Sequence, residues 1–322
     1  SPTRRCGNSS STSKSRASTR GVICRAISCR ISSSSCATPD RRGSAIHLAI
    51  YEINDHELVD ALKPFGKRGH VLLGNGGATK PWVAQELTAA GLEVRHRDLS
   101  HGHGTSPSVH NKFLVESDAA GKSATRVLTG STNWTTTGLC TQLNNVLIVE
   151  NAVLASRFLD QWGKLVAAGD AMAPGLVATS SVPKTDGDLA LYFAASKDEA
   201  EFKPVLDLIA GAKHGILFLM FAPGNSPLLK ALLDRVLKND IYVRGVVSRV
   251  VPPKNPADGD VTKVGGEVVK SGAPAQDFYD DVTLPSGVSA EDHPSWEETE
   301  FNVAEMLNNH LMAIVHSKVI VV

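Results

Sequence analysis

Two segments of the chain share one form, and between them they limit the folds it can adopt. Val109-His110-Asn111-Lys112 runs into Phe113-Leu114-Val115, and Val315-His316-Ser317-Lys318 runs into Val319-Ile320-Val321-Val322. Each is His-x-Lys ahead of an apolar run, the pattern of a strand buried on both faces. Each follows a strand, helix, strand series. Residues 46–53, 57–62 and 70–73 form the first series, and residues 216–221, 227–233 and 241–247 the second. Strands alternating with amphipathic helices signal a layered α/β domain, and repetition signals two copies of it. The expected fold is two duplicated α/β/α sandwich halves related by a pseudo-dyad, with an active site at the seam.

Residues i and i+2 of a strand point the same way, so each copy presents one imidazole and one ammonium on a single face. After the first copy comes Gly130-Ser131-Thr132-Asn133-Trp134, in which Ser131 and Asn133 can share a face by the same rule. Two such half-sites facing each other would surround one phosphate with two histidines and two lysines. That set suits phosphodiester cleavage without a metal.

His110-x-Lys112 followed by Gly-Ser-x-Asn resembles the signature of the phospholipase D superfamily, whose members carry two His-Lys-Asp half-motifs. The stretches 129–135, 142–149 and 158–162 also resemble bacterial members, and the resemblance covers roughly residues 45–322. The sequence departs from the pattern in three places. Ser117 stands where the first acid belongs, with Asp118 one place later; the second acid would fall just beyond Val322; and no second Gly-Ser-x-Asn follows His316.

The resemblance implies a metal-independent phosphodiesterase of phospholipase D type that needs no cofactor and works through a phosphohistidine. In that scheme His110 is the nucleophile and His316 the acid and base. Lys112 and Lys318 hold the phosphate with help from Ser131, Asn133 and Asn144. Transphosphatidylation is a further implied activity. A phospholipid or another phosphodiester is the expected substrate. The alternatives are a nuclease or other phosphodiesterase of the same superfamily, and a catalytically incomplete chain. In that last case, His316 on a terminal strand is expected to be poorly fixed.

The expected division is a disordered or non-native leader (1–43), a first half (44–170), a linker (171–190) and a second, C-terminally incomplete half (191–322). The leader is Ser/Arg-rich, carries Cys6, Cys24, Cys29 and Cys36, and lacks the apolar core of a secretory signal. Secretion is implied only by the resemblance. Residues 44–322 hold 24 basic residues against 32 acidic, a net of −8, which disfavours a nucleic-acid partner. Much of the acid lies in a Pro/Gly-rich insertion at 257–305. No run of 18 apolar residues is present, so no transmembrane segment is expected.

Two other motifs invite functional readings. His101-Gly102-His103 suggests a metal site, but its glycines indicate a loop and no cysteine accompanies it, so no metal is expected. Leu73-Gly74-Asn75-Gly76-Gly77-Ala78-Thr79-Lys80 lacks the Gly-Lys-Ser/Thr of a phosphate loop, and reads as a strand-to-helix turn with Pro81 at the helix start.

Overall fold

The computed structural model describes residues 43–104, 106–140, 142–221, 226–238, 240–247, 263–264, 267–268 and 316–322. The leader at 1–42 and nearly all of the 257–305 insertion lie outside the described residues. What remains of the insertion is a two-stranded ribbon described below.

A near-continuous apolar run gives β1 (Ser44–Ile50) two buried faces. Asp55 then starts α1 (His56–Leu62), its Oδ1 accepting from Leu58 N at 3.0 Å. The chain returns as β2 (Gly69–Leu73). Pro81 opens α2 (Pro81–Ala89), with the glycine-rich turn before it, and β3 (Glu93–His96) follows. Next come β4 (Lys112–Asp118), β5 (Ala124–Gly130), α3 (Thr136–Cys140) and β6 (Val146–Val149). These six strands form one sheet in the order β3-β2-β1-β4-β5-β6. The β1–β2 and β2–β3 pairs are parallel and the rest antiparallel.

Helices cover both faces of this sheet. Ile46, Leu48 and Ile50 pack with Leu58 and Val59 of α1 and with Val83 and Leu87 of α2. On the other face, Ala49, Phe113 and Val115 pack against α4 (Ala152–Ala168) and α5 (Pro174–Ser180). The stretch expected as a linker therefore contains α5, whose Leu176 joins that core, and most of a small hairpin, β7 (Lys184–Asp186) with β8 (Leu189–Leu191).

A second sheet repeats the arrangement of β2-β1-β4. After α6 (Phe202–Gly211) come β9 (Gly215–Met220), α7 (Pro227–Lys238) and β10 (Tyr242–Val247). A short ribbon, β11 (Lys263–Val264) with β12 (Glu267–Val268), precedes β13 (Val319–Val321). β9 is central, parallel to β10 and antiparallel to β13. The registers match too. Lys112 pairs with Ile50, the last residue of β1. Val319 pairs with Leu219, so one further step brings Lys318 beside Met220, the last residue of β9. Among the described residues, no helix is long and apolar enough to cross a membrane.

Both histidines of the paired motifs sit just ahead of their strands. The segment before β4 is held by Tyr51 N donating to Asn111 O at 2.7 Å. The segment after β5 is fixed by backbone conformation. Gly130 has φ +149°, and an added Cβ would meet Asn145 O at 2.2 Å. Gly130→Ala is expected to cost on the order of 1–3 kcal/mol, read as a lowered denaturant midpoint with an unchanged slope.

Candidate functional site

The two sheets bring the paired motifs together. The His110 and His316 rings lie 6.0 Å apart, centre to centre, at 70°. Each motif is backed by the aromatic residue that follows its central strand. Tyr51, after β1, lies 4.7 Å from the His110 ring, and Lys112 Nζ sits 5.1 Å above the Tyr51 ring. Phe221, after β9, lies 5.6 Å from the His316 ring, with Lys318 Nζ at 5.8 Å. Both ammonium groups also turn back on their own motifs: Lys112 donates to His110 O at 3.3 Å and Lys318 to His316 O at 2.6 Å.

His316 is held from the opposite sheet. Its backbone N–H donates to Leu143 O at 2.9 Å, and Ser317 donates to the same oxygen from its backbone N–H (2.8 Å) and its hydroxyl (3.1 Å). Asn144 Oδ1 faces His316 Nδ1 at 3.0 Å. Asn144 Nδ2 donates to Gly138 O at 2.8 Å, which fixes the amide's orientation. An amide oxygen only accepts, so Nδ1 carries the proton, and the Ser131 backbone is a second hydrogen-bond partner of the ring that works to raise its pKa. The sequence suggests a loosely held His316. Instead it is buried and bonded through both backbone and ring, because first-sheet residues complete the hydrogen bonds its own short strand cannot supply.

Ser131, Asn133 and Asn144 were expected on phosphoryl oxygens, and here they engage the protein. Ser131 Oγ donates to Asn144 Oδ1 (2.7 Å) and accepts from Asn145 N (3.0 Å). Asn133 Nδ2 donates to Glu52 Oε2 at 2.9 Å. The Asn133 segment lies along the chain after β1, where Trp134 N donates to Glu52 O at 2.9 Å and Ile53 bridges to Trp134. Sequence reasoning missed Tyr51, Glu52 and Phe221. The signal was there: in both strand, helix, strand units an aromatic residue directly follows the first strand.

Cavities adjoin both lysines. One of about 680 Å³ includes His110, Lys112, Phe113 and Phe158 in its lining, and one of about 400 Å³ includes Leu208, Phe221, Leu228 and Lys318. Among the described residues, no three His, Cys, Asp or Glu side chains gather as a metal site, and His101 and His103 join no such group.

The family model described as "Cardiolipin synthase, PLD-like domain" matches residues 31–165. The matched stretch, less than half of the chain, is similar to a PLD-like domain. No curated protein matches it. Similar solved structures include the phospholipase D family member Nuc from Salmonella typhimurium. That likeness has 20% identity and a TM-score of 0.34, covering 45% of this chain and 86% of Nuc. NucT from Helicobacter pylori is similar at 12% identity and TM-score 0.31, covering 40% and 82%. Yeast tyrosyl-DNA phosphodiesterase is similar at 11% identity and TM-score 0.37, covering 71% and 62%.

Four basic side chains crowd this site, Lys112 and His316 buried and His110 and Lys318 exposed. Burial, then Lys112, Lys318 and His316, lower the His110 pKa to about 3. Burial, then Lys318 and Lys112, lower His316 to about 4. Lys112, only 8% exposed, is lowered to about 7 by burial and then by Lys318, with Glu52 opposing. Lys318 is more open to solvent, and burial of part of it lowers its pKa to about 8. Without a bound anion, both imidazoles are neutral at pH 7.

A third histidine with a lowered pKa adds to this, and like His316 it is buried. His47 stacks on His70 at 4.7 Å and contacts Ser117 Oγ through Nε2 at 3.1 Å. Burial, then His70, lowers its pKa to about 4. These three histidines take up protons more readily unfolded, at the ordinary value near 6.5, than folded. Their contribution is fully present above pH 6.5 and is lost as pH falls toward 4. The denaturant midpoint is therefore expected to drop between pH 7 and pH 5, less steeply in a His110→Gln/His316→Gln variant. An equally steep fall in that variant would locate the effect elsewhere.

The aromatic backing generates a separate expectation. A ring face under an ammonium favours its charged form, by about 0.5–2 kcal/mol. Tyr51→Leu should therefore lower phosphodiester turnover by about tenfold and move the alkaline limb of kcat/KM to lower pH, as Lys112 loses its proton more easily. Tyr51→Phe should restore both. An unmoved limb in Tyr51→Leu would reduce the residue to packing.

Proposed function

We propose that this chain hydrolyses phosphodiesters in two steps at the His110–His316 pair, and that its substrate is a phospholipid. The carrying observation is the approach of the two rings to 6.0 Å with an ammonium beside each. Neutral His110 attacks phosphorus, forming a P–N bond as the P–O bond to the leaving alcohol breaks. His316, as imidazolium, protonates the departing alkoxide. It then takes a proton from water, which attacks phosphorus and breaks the P–N bond. An alcohol in place of water would give transphosphatidylation.

Lys112 and Lys318 supply the charge that holds the phosphoryl oxygens and stabilises the transition state. A bound phosphodiester anion offsets their repulsion of a third positive charge, which raises the histidine pKa values and lets one imidazole carry a proton. Asn144 acts by fixing the tautomer and direction of His316, with Ser131 and Asn133 bracing the same wall. The cavities beside the lysines combine apolar walls, such as Phe113, Phe158 and Leu165 in one and Leu208, Phe221 and Leu228 in the other, with a few basic groups, which suits an amphiphile with an anionic head. The net −8 of residues 44–322 supports the same choice.

The test uses a p-nitrophenyl phosphodiester, whose leaving group needs no acid. His316→Ala should release one equivalent of nitrophenolate and then stall, with base-stable, acid-labile phosphate on His110 by peptide mass. His110→Ala should lose on the order of a thousandfold or more in rate, without that adduct. An adduct on His316 in His110→Ala would reverse the roles. Cleavage of single-stranded DNA with none of phosphatidylcholine would replace the lipid reading.

A further inference from the structure

The larger cavity beside β4 contains a polar feature that hydrolysis does not use. Its walls are mostly apolar, with Phe113 from β4, Phe158 and Leu165 from α4, and Phe193 beyond β8. Arg97 and Gln161 also line it, each only 2% exposed. Arg97 Nη2 donates to Ala171 O at 2.9 Å, but Nη1 is buried with no partner among the described residues. Gln161 Nε2 donates to Ser180 Oγ at 3.3 Å, and its Oε1 is likewise buried without a partner.

A guanidinium stays charged at any ordinary pH, and a buried N–H left without an acceptor is costly. Asp170 attracts this guanidinium, while Asp170 Oδ1 accepts from Asp98 N at 2.8 Å. Countercharge is therefore near, and what Arg97 lacks is an acceptor rather than a second anion. A neutral carbonyl fits that need in an apolar cavity better than a carboxylate or phosphate, whose own desolvation would be larger. The unpaired Gln161 oxygen calls for a donor.

We propose that this cavity holds the apolar moiety of the substrate, with a linkage carbonyl accepting from Arg97 Nη1 and a linkage N–H or O–H donating to Gln161 Oε1. The occupant is an acyl-linked amphiphile whose phosphodiester reaches His110 and Lys112 on the same cavity's lining. This rests on the phospholipid reading and specifies which lipids satisfy it. An ether-linked lipid satisfies neither group, an ester satisfies Arg97, and an N-acyl amide satisfies both.

The experiment compares three choline phospholipids of equal chain length, with dialkyl ether, diacyl ester and N-acyl sphingoid linkages, dispersed in the same detergent. For the unaltered protein, kcat/KM should rise about tenfold from ether to ester, chiefly through KM, and should rise again for the amide. Arg97→Met should level ester with ether, and Gln161→Met should level amide with ester. Hydrolysis of bis(p-nitrophenyl) phosphate, which has no acyl linkage, should stay unchanged in both variants. Equal rates on all three lipids would overturn the proposal and leave the phospholipid reading intact. Loss of the small diester's hydrolysis in parallel with the lipids would assign Arg97 and Gln161 to fold support and overturn it as well. If the unaltered protein cleaves bis(p-nitrophenyl) phosphate but none of the lipids, the phospholipid reading itself fails.

Discussion

The Asn144–His316 contact, with the Leu143 carbonyl beside it, joins what the two sheets contribute to the candidate site. Asn144 Oδ1 takes hydrogen bonds from His316 Nδ1 and Ser131 Oγ at once. Its NH₂ group is anchored on Gly138 O. Leu143 O beside it receives the backbone of both His316 and Ser317. A carboxylate at this place would attract a proton to the imidazole, whereas an amide directs the ring without charging it. The arrangement therefore delivers a neutral, oriented imidazole and leaves charge control to the lysines.

Those lysines set the electrostatic character of the site. Lys112, Lys318, His110 and His316 share one partly desolvated region, and Glu52 is the acid whose charge opposes the lowering of Lys112. Each proton placed there raises the cost of the next. A phosphodiester monoanion changes that balance, since it brings the charge that the protein withholds. On this account the substrate's phosphate helps set the protonation state of the groups proposed to act on it.

Much of this was legible in the sequence because the signals are local. Apolar runs and helical spacing mark α1, β2, β9 and β10 within one residue and β1 within three, while α7 starts where expected and runs five residues further; Pro81 marks the start of α2. The recurrence of His-x-Lys pointed to matching strand contexts, and the registers of β4 on β1 and β13 on β9 are alike. What the sequence did not reveal depends on distant partners. Ser131 and Asn144 are polar residues of a kind that bind phosphate, and nothing nearby in sequence indicates that Asn144 meets a ring 172 residues away. Tyr51 and Phe221 read as ordinary core aromatics until each is found under its own lysine. Arg97 looks like a surface charge ending an exposed strand, yet it is almost fully enclosed.

The bonds from Leu143 to His316 and Ser317 also bear on cooperativity. β13 is only three residues long and pairs with β9 alone among the described strands, so part of the order of its leading segment comes from the first sheet. Conversely, the loop before β6 has its Leu143 carbonyl satisfied by the second sheet's segment. Local opening on either side therefore exposes polar backbone on the other, and the two are expected to come apart as one unit rather than in sequence. The candidate site is in this sense the latch between the sheets.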